Sequence, residues 1–222
     1  AQNETVDVGV QVQSLKDNTL TFDVTVQNKT GHRFPSGVAF RRAFLEVLVT
    51  DKMGNIVWSS GRTNAVGVIV DAAGRPLKTE FLPDRNTFQP HYQQITQQDQ
   101  VQIYEELTQN ADFDFTTSFI HRVHDIKDNR LLPMGWRSSD HFKSMGEVLF
   151  EFMEATDPEV HGDPDYEDQG PSFPGKDKIQ YVATLPSGLN TSGLSVQATL
   201  YYQAIPPYYL KQRFTTAPNG PA

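Results

Sequence analysis

Along much of this chain apolar and polar residues alternate with a period of two. Val6, Val8, Val10 and Val12 are separated by Asp7, Gly9 and Gln11, the pattern of a half-buried strand whose side chains point alternately to its two faces. A turn at Lys16-Asp17-Asn18 leads into a second such run, Leu20, Phe22, Val24 and Val26. The two runs are predicted to pair as a hairpin, with Leu20 through Val26 on the core side. A third strand at 44–49 and a fourth at 56–58 flank Asp51-Lys52-Met53-Gly54-Asn55, which makes a second hairpin. A shorter β run follows at 66–70, closed by Asp71-Ala72-Ala73-Gly74. Further strands are expected at 101–105, 146–153, 179–185 and 194–204, the last two joined by a Pro186-Ser187-Gly188 turn. Residues 112–117 read as a turn, and 118–125 as either a strand or one helical turn. Proline at its first turn lets 206–211 open a short C-terminal helix.

Seven to nine strands at this spacing, with no long helical period, predict an all-β chain. The expected fold is an antiparallel β-sandwich, immunoglobulin-like, forming one domain over residues 1–222. Two stretches do not fit a plain sandwich. Residues 75–98 are polar, carry prolines and hold no period, and 154–178 are acidic and rich in proline and glycine. Excursions of that length are usually functional or disordered.

Composition narrows the function classes. A hydrophobic fraction of 37%, with 14 Phe and 8 Tyr, supplies a real core. A formal charge of −8 argues against a nucleic-acid surface, which needs a concentrated Lys/Arg stripe. No apolar run approaches the length of a membrane span. The opening Ala1-Gln2-Asn3-Glu4 is neither basic nor apolar, so a signal segment is expected to have been removed or never present. Asn3-Glu4-Thr5, Asn28-Lys29-Thr30 and Asn190-Thr191-Ser192 match the glycosylation sequon, as expected by chance in a chain of this composition. The chain has no cysteine, which removes disulfides, thiolate ligands and the Cys-x-x-Cys-His attachment of a c-type haem. It therefore carries no covalent haem. No Gly-x-Ser-x-Gly, His-Glu-x-x-His or glycine-rich phosphate loop is present, and the chain is expected not to be an enzyme.

Candidate chemistry rests on histidine and carboxylate. Asn28-Lys29-Thr30-Gly31-His32-Arg33-Phe34-Pro35-Ser36-Gly37 directly follows the second strand and sets His32 on a turn punctuated by glycine and proline. His32 is either a turn residue bonded to backbone or a ligand to a metal or haem iron, held outward by its neighbours. His91, after Pro90, has the same appearance. The densest cluster is His121-x-x-His124-Asp125, whose two rings share a face only on a helix. Asp125 and Asp128 open a second oxygen-rich turn, a candidate for calcium. His141 and His161 sit in polar stretches and are expected to be solvated. Glu154, Asp157, Glu159, Asp163, Asp165, Glu167 and Asp168 form an acidic run without Lys or Arg, read either as a solvated loop or as one that uses calcium as counter-ion.

Four segments together resemble a known family. They are 28–37 with Arg41-Arg42, Val101-Gln102-Ile103-Tyr104-Glu105, Lys127-Asp128-Asn129-Arg130-Leu131-Leu132-Pro133 with Gly135, and Ala198-Thr199-Leu200-Tyr201-Tyr202-Gln203. In order and approximate spacing they are similar to the C-terminal β-sandwich domain of bacterial periplasmic or extracellular multihaem c-type cytochromes. In that family the sandwich follows a haem-bearing region, which is absent from this chain. The resemblance implies a secreted accessory domain that shields, positions or ligates haem held by a partner cytochrome or by the remainder of one. It implies a haem contact or axial ligand at His32, and a periplasmic or extracellular location. A rival reading is a stand-alone surface protein binding copper or calcium, with His32, His91, His121, His124, Asp125 and Asp128 as its ligands. A third is an adhesive or assembly subunit.

Overall fold

The computed structural model describes residues 2–146, 150–154 and 156–217. Among the described residues ten strands are present: β1 Val6–Lys16, β2 Thr19–Asn28, β3 Arg42–Thr50, β4 Ile56–Ser60, β5 Gln94–Ile95, β6 Ile103–Gln109, β7 Phe115–Thr116, β8 His124–Asp128, β9 Lys176–Thr184 and β10 Ser195–Gln203. One sheet runs β1-β2-β9-β5. The other runs β10-β3-β6-β7, with β4 on β3 and β8 on β6. Neighbours pair antiparallel except β5 and β9, which are parallel.

The period-two pattern of β2 does what it predicts. Leu20, Phe22, Val24 and Val26 are buried, while the residues between them are half exposed. They pack with Ile179, Tyr181 and Ala183 of β9 against Leu45, Val47, Val49, Trp58 and Tyr104 of the facing sheet. The Tyr181 ring stacks on Phe22 at 5.2 Å and meets Trp58 edge-on at 6.1 Å. The hairpin of β1 and β2 sets Val8 opposite Val26 and Val12 opposite Phe22, with a bulge after Val12. Gly61, at φ +74, lets the chain leave β4 against β3, since a Cβ there would lie 2.0 Å from the Leu45 carbonyl oxygen. The architecture is a two-sheet β-sandwich, and the immunoglobulin-like label goes no further than the sequence expectation.

Several expected elements differ. Residues 66–70 make isolated bridges, Thr63 with Ile69 and Val70 with Pro76, and no continuous strand. Of the strand expected at 146–153, residues 147–149 lie outside the described residues and Phe150–Glu154 is helical. The alternation there is short, Met and Glu favour helix, and Phe152 is exposed rather than packed in a sheet. Within 118–125 the chain turns first and enters β8 only at His124. A six-residue helix, Ser139–Ser144, has no counterpart in the hydrophobic pattern, whereas the C-terminal helix forms as expected, at Pro207–Thr216.

The end of β2, the start of β9, the start of β6 and the segment after β8 gather at one end of the sandwich. Asn28 N–H donates to Gly175 O at 2.7 Å, and Asn129 N–H donates to Glu105 O at 3.3 Å. His91 of the first excursion and Asp163 of the second meet at this same end.

Candidate functional site

Two histidines occupy that end, in opposite settings. His32 sits on a turn clamped from below by Asn28, the last residue of β2, which is fully buried. The Asn28 amide nitrogen lies 2.7 Å from His32 O, 3.1 Å from Leu131 O and 3.3 Å from Leu132 O. Its oxygen accepts from the Thr30 N–H at 2.9 Å and lies 2.7 Å from the Thr30 hydroxyl. Asn28 is thus spent internally, and its sequon match offers no accessible amide. Beyond the ring, Phe34 exchanges both backbone hydrogen bonds with Leu131, at 3.0 and 2.8 Å. The Phe34–Pro35 peptide is cis. The Arg33 guanidinium pairs with buried Asp128.

The His32 ring itself is exposed. Its Nδ1 lies 2.9 Å from the Arg33 carbonyl oxygen. A carbonyl only accepts, so Nδ1 carries a proton and the neutral ring keeps its lone pair on Nε2. Among the described residues no hydrogen bond reaches Nε2. An Nδ1–H held by a backbone carbonyl with Nε2 free is the arrangement that orients a ligating imidazole.

His91 comes from the first excursion and meets Asp163 from the second, above Asp177 of β9. Its Nε2 is 2.8 Å from Asp163 Oδ2 and 3.9 Å from Asp177 Oδ1. One potential ligand atom from each of the three residues lies within 4.8 Å of the other two, and this is the group of three or more such side chains found among the described residues. Asp163 caps a single 3-10 turn, Pro164–Tyr166, by accepting the Asp165 N–H at 2.9 Å. Tyr166 is buried, donates its hydroxyl to Asn129 O at 2.7 Å and sets its ring edge-on to His91. Asp177 Oδ2 accepts from the Tyr104 hydroxyl at 2.7 Å and from Gln102 Nε2 at 3.0 Å, while Oδ1 is buried without a hydrogen-bond partner.

Hydrogen bonds fix the His91 tautomer. Gln102 Oε1 accepts the Tyr92 N–H at 2.9 Å, so the Gln102 NH2 faces His91 Nδ1, also at 2.9 Å. Asn129 Oδ1 accepts the Glu105 N–H, so its NH2 donates to Ile103 O and lies 3.2 Å from the same Nδ1. An Nδ1 facing two donors is an acceptor, and the ring proton sits on Nε2, given to Asp163. Nε2 then has no lone pair for a cation. The expectation of a metal at His91 meets this donor arrangement and loses the nitrogen it needs.

Charge in the cluster is unbalanced. Burial pushes Asp177 up to about 6, with Asp163 and Asp165 adding to the rise and His91 and Tyr104 opposing it. At Asp163 burial also raises the carboxyl, but the His91 and Asp165 hydrogen bonds outweigh it and hold the group below its ordinary value. Tyr104 and Tyr166 are pushed far up, chiefly by burial.

The other expected ligands do not converge. His121 and His124 are exposed, and His124 borders the same cleft as Asp125 without forming a group of three ligand atoms among the described residues. Asp125 lines a polar cleft of 590 Å³ with Glu106, Arg122, Arg130 and Glu159. Asp128 is occupied by Arg33 and Arg130, which is why the oxygen-rich turn at 125–130 is not an open cation cradle. His141 takes a hydrogen bond on Nδ1 from Arg137, and His161 is exposed. The acidic run is divided among separate donors. Asp157 accepts from Ser139 at the start of the Ser139–Ser144 helix, Asp165 from the Lys178 N–H, and Asp168 from Arg137, Ser138 and Gly170.

Sequence reasoning misses Asn28, Gln102, Tyr104, Asn129, Asp163 as a partner of His91, and Asp177. One signal was available: Asp177 shares its strand face with Ile179, Tyr181 and Ala183, so a strand begun at 176 places a carboxylate at a core position.

No family model matches the chain, and no curated protein matches it. Among solved structures it is similar to a penta-heme cytochrome c552 from Thermochromatium tepidum, with 15% identity and a TM-score of 0.46. That alignment covers 97% of this chain and 36% of the other, so the chain spans about a third of that protein's length.

Proposed function

We propose that this chain is a secreted accessory β-sandwich domain that offers His32 as an outward imidazole to the iron of a multihaem c-type cytochrome partner. With no cysteine, it attaches no haem covalently. The single observation behind this reading is the exposed His32 ring on its turn, with Nδ1 held by the Arg33 carbonyl. The four segments that resemble the sandwich domain of periplasmic or extracellular multihaem cytochromes agree with it and support a location outside the cytoplasm. Among the described residues no helix is long and apolar enough to cross a membrane.

Iron coordination needs a rigidly posed neutral nitrogen. The probe is a short haem c peptide with one open axial position, titrated against the protein near neutral pH and followed by visible absorption. Imidazole ligation gives a low-spin spectrum. His32→Ala is expected to lower the apparent affinity at least tenfold with the fold intact, while His121→Ala and His124→Ala leave it unchanged. Equal binding by wild type and His32→Ala would sink the assignment.

A further inference from the structure

The His91 cluster is where two excursions meet the sandwich, and its chemistry is unfinished: a fully buried carboxylate oxygen has no donor. We propose that Asp177 works as a buried carboxylic acid, with its proton on Oδ1, and that losing this proton loosens the 154–178 excursion from the sheet. The inference is independent of the reading of His32.

The proton has one place to go. From the first excursion, His91 turns Nδ1 to the amide donors of Gln102 and Asn129 and gives its Nε2–H to Asp163. From β6, Tyr104 already donates to Oδ2, which also takes Gln102, so Oδ1 is the free position. From the second excursion come Asp163, Asp165 and Tyr166, two of them further carboxylates. On β9 itself Tyr181 is neutral and buried, while Lys176 and Lys178 act on Asp165. Arg33 and Asp128, which reach the cluster's margin at Tyr166, are paired with each other. No Lys or Arg among these groups pairs with Asp177. When it is ionised, two carboxylates share a dry site. When it is protonated, that repulsion is gone, and β9 and the excursion face each other across a span of no more than 4.8 Å between the two carboxyl groups. A cleft of 320 Å³ lined by Asp163, Asp165, Lys178 and Gln180 gives protons a route to the outer side of Asp163.

The sign follows from the carboxyl's elevation, from 3.8 to about 6. Docking gains from the proton at low pH, and the gain is lost as pH rises through about 6. If the open excursion returns Asp177 to its ordinary value, the opening equilibrium rises about tenfold between pH 5 and pH 8.

Backbone hydrogen exchange of residues 163–175, corrected for the intrinsic pH dependence of exchange, measures that opening. Infrared absorption reads the proton directly. The wild type should show the tenfold rise and a protonated-carboxyl band at pH 5 that is gone at pH 8. Asp177→Asn should lose the Asp177 part of that band, leaving the part from Asp125, which is likewise raised to about 6, and should show a flat opening equilibrium. If Asp177→Asn does not fold, Asp163→Asn should move the midpoint of the wild-type band to lower pH, because it removes the neighbouring charge. A missing band, a pH-independent opening in the wild type, or a response retained in Asp177→Asn overturns the proposal. So does protection of the excursion at pH 8 by added zinc or calcium that Asp177→Asn abolishes, since the site would then hold a cation.

Discussion

Replacing Asn28 with alanine tests whether the His32 turn is built from beneath. The side chain makes contacts on both sides of its amide, and their loss has unequal consequences. Thr30 is half-buried and His32 exposed, so their freed groups return to water, at about 0.5–1.5 kcal/mol for each net bond. Leu131 O keeps the Phe34 N–H at 3.0 Å. The backbone oxygen of buried Leu132 loses the Asn28 contact at 3.3 Å, and a stranded interior acceptor costs about 1–3 kcal/mol. Together the expected loss is about 2–6 kcal/mol. Urea unfolding gives it as a lower midpoint at unchanged slope. Asn28→Asp is the control: it keeps the acceptor for Thr30 but turns an oxygen toward three carbonyls, so it should destabilise at least as much. Both variants should also weaken binding of the haem c peptide, although neither touches the ring. A loss under about 1 kcal/mol for Asn28→Ala, with ligation intact, would show that the turn holds itself and that the clamp is incidental.

Two further perturbations probe other buried charges. Glu80 receives Arg42 in two parallel hydrogen bonds of 2.7 Å and also accepts the Ile69 N–H, and both side chains are essentially unexposed. Glu80→Gln leaves an interior guanidinium without its counter-charge and should cost about 3–5 kcal/mol in urea unfolding. A cost near zero would mean that Arg42 finds another anion. Asp168 is the acid-side test. Burial raises its carboxyl, but the Ser138 and Gly170 N–H groups and Arg137 outweigh that and hold it at about 2. A depressed carboxylate contributes stability above its unfolded value that is lost as pH falls. Melting temperature should therefore drop between pH 4 and pH 2, and Asp168→Asn should flatten that limb. An unchanged acid limb would refute the role.

Much of the sandwich was legible because β2, β3 and β9 each bury one face. Shifting Leu20, Phe22, Val24 and Val26 by one residue would turn them all to solvent, so the alternation fixes both the strand and its orientation. The misread segments lack that constraint. Residues 66–70 have no partner long enough to make a ladder, and Phe152 in the 150–154 segment stands exposed rather than on a sheet face. The excursions announced themselves by length and composition, but their internal structure depends on partners far along the chain. Asp163 reaches His91 across 72 residues, and Tyr166 reaches Asn129 across 37. No local pattern encodes such pairs. The acidic run looks like a candidate cation loop because sequence displays its charges and hides the N–H groups that divide them.

The two loop histidines show where legibility ends. His32 and His91 look alike as residues: each stands beside a glycine or proline, next to a strand. Their chemistry is opposite because of what meets Nδ1. At His32 it is the carbonyl of the next residue, an acceptor, which puts the proton inside and leaves the outer nitrogen basic. At His91 it is two amide NH2 groups, whose orientation is set by the backbone N–H groups of Tyr92 and Glu105. There the proton lies on the outer nitrogen and is committed to Asp163. Ligand and structural roles thus follow from one local question, whether the inner nitrogen donates or accepts. A single substitution puts the rule at risk. Gln102→Glu would set a carboxylate against the Tyr92 N–H, which it can still accept, and an oxygen against Nδ1, which then favours the proton. His91 would become doubly protonated or change tautomer, and the cluster would lose its locked state.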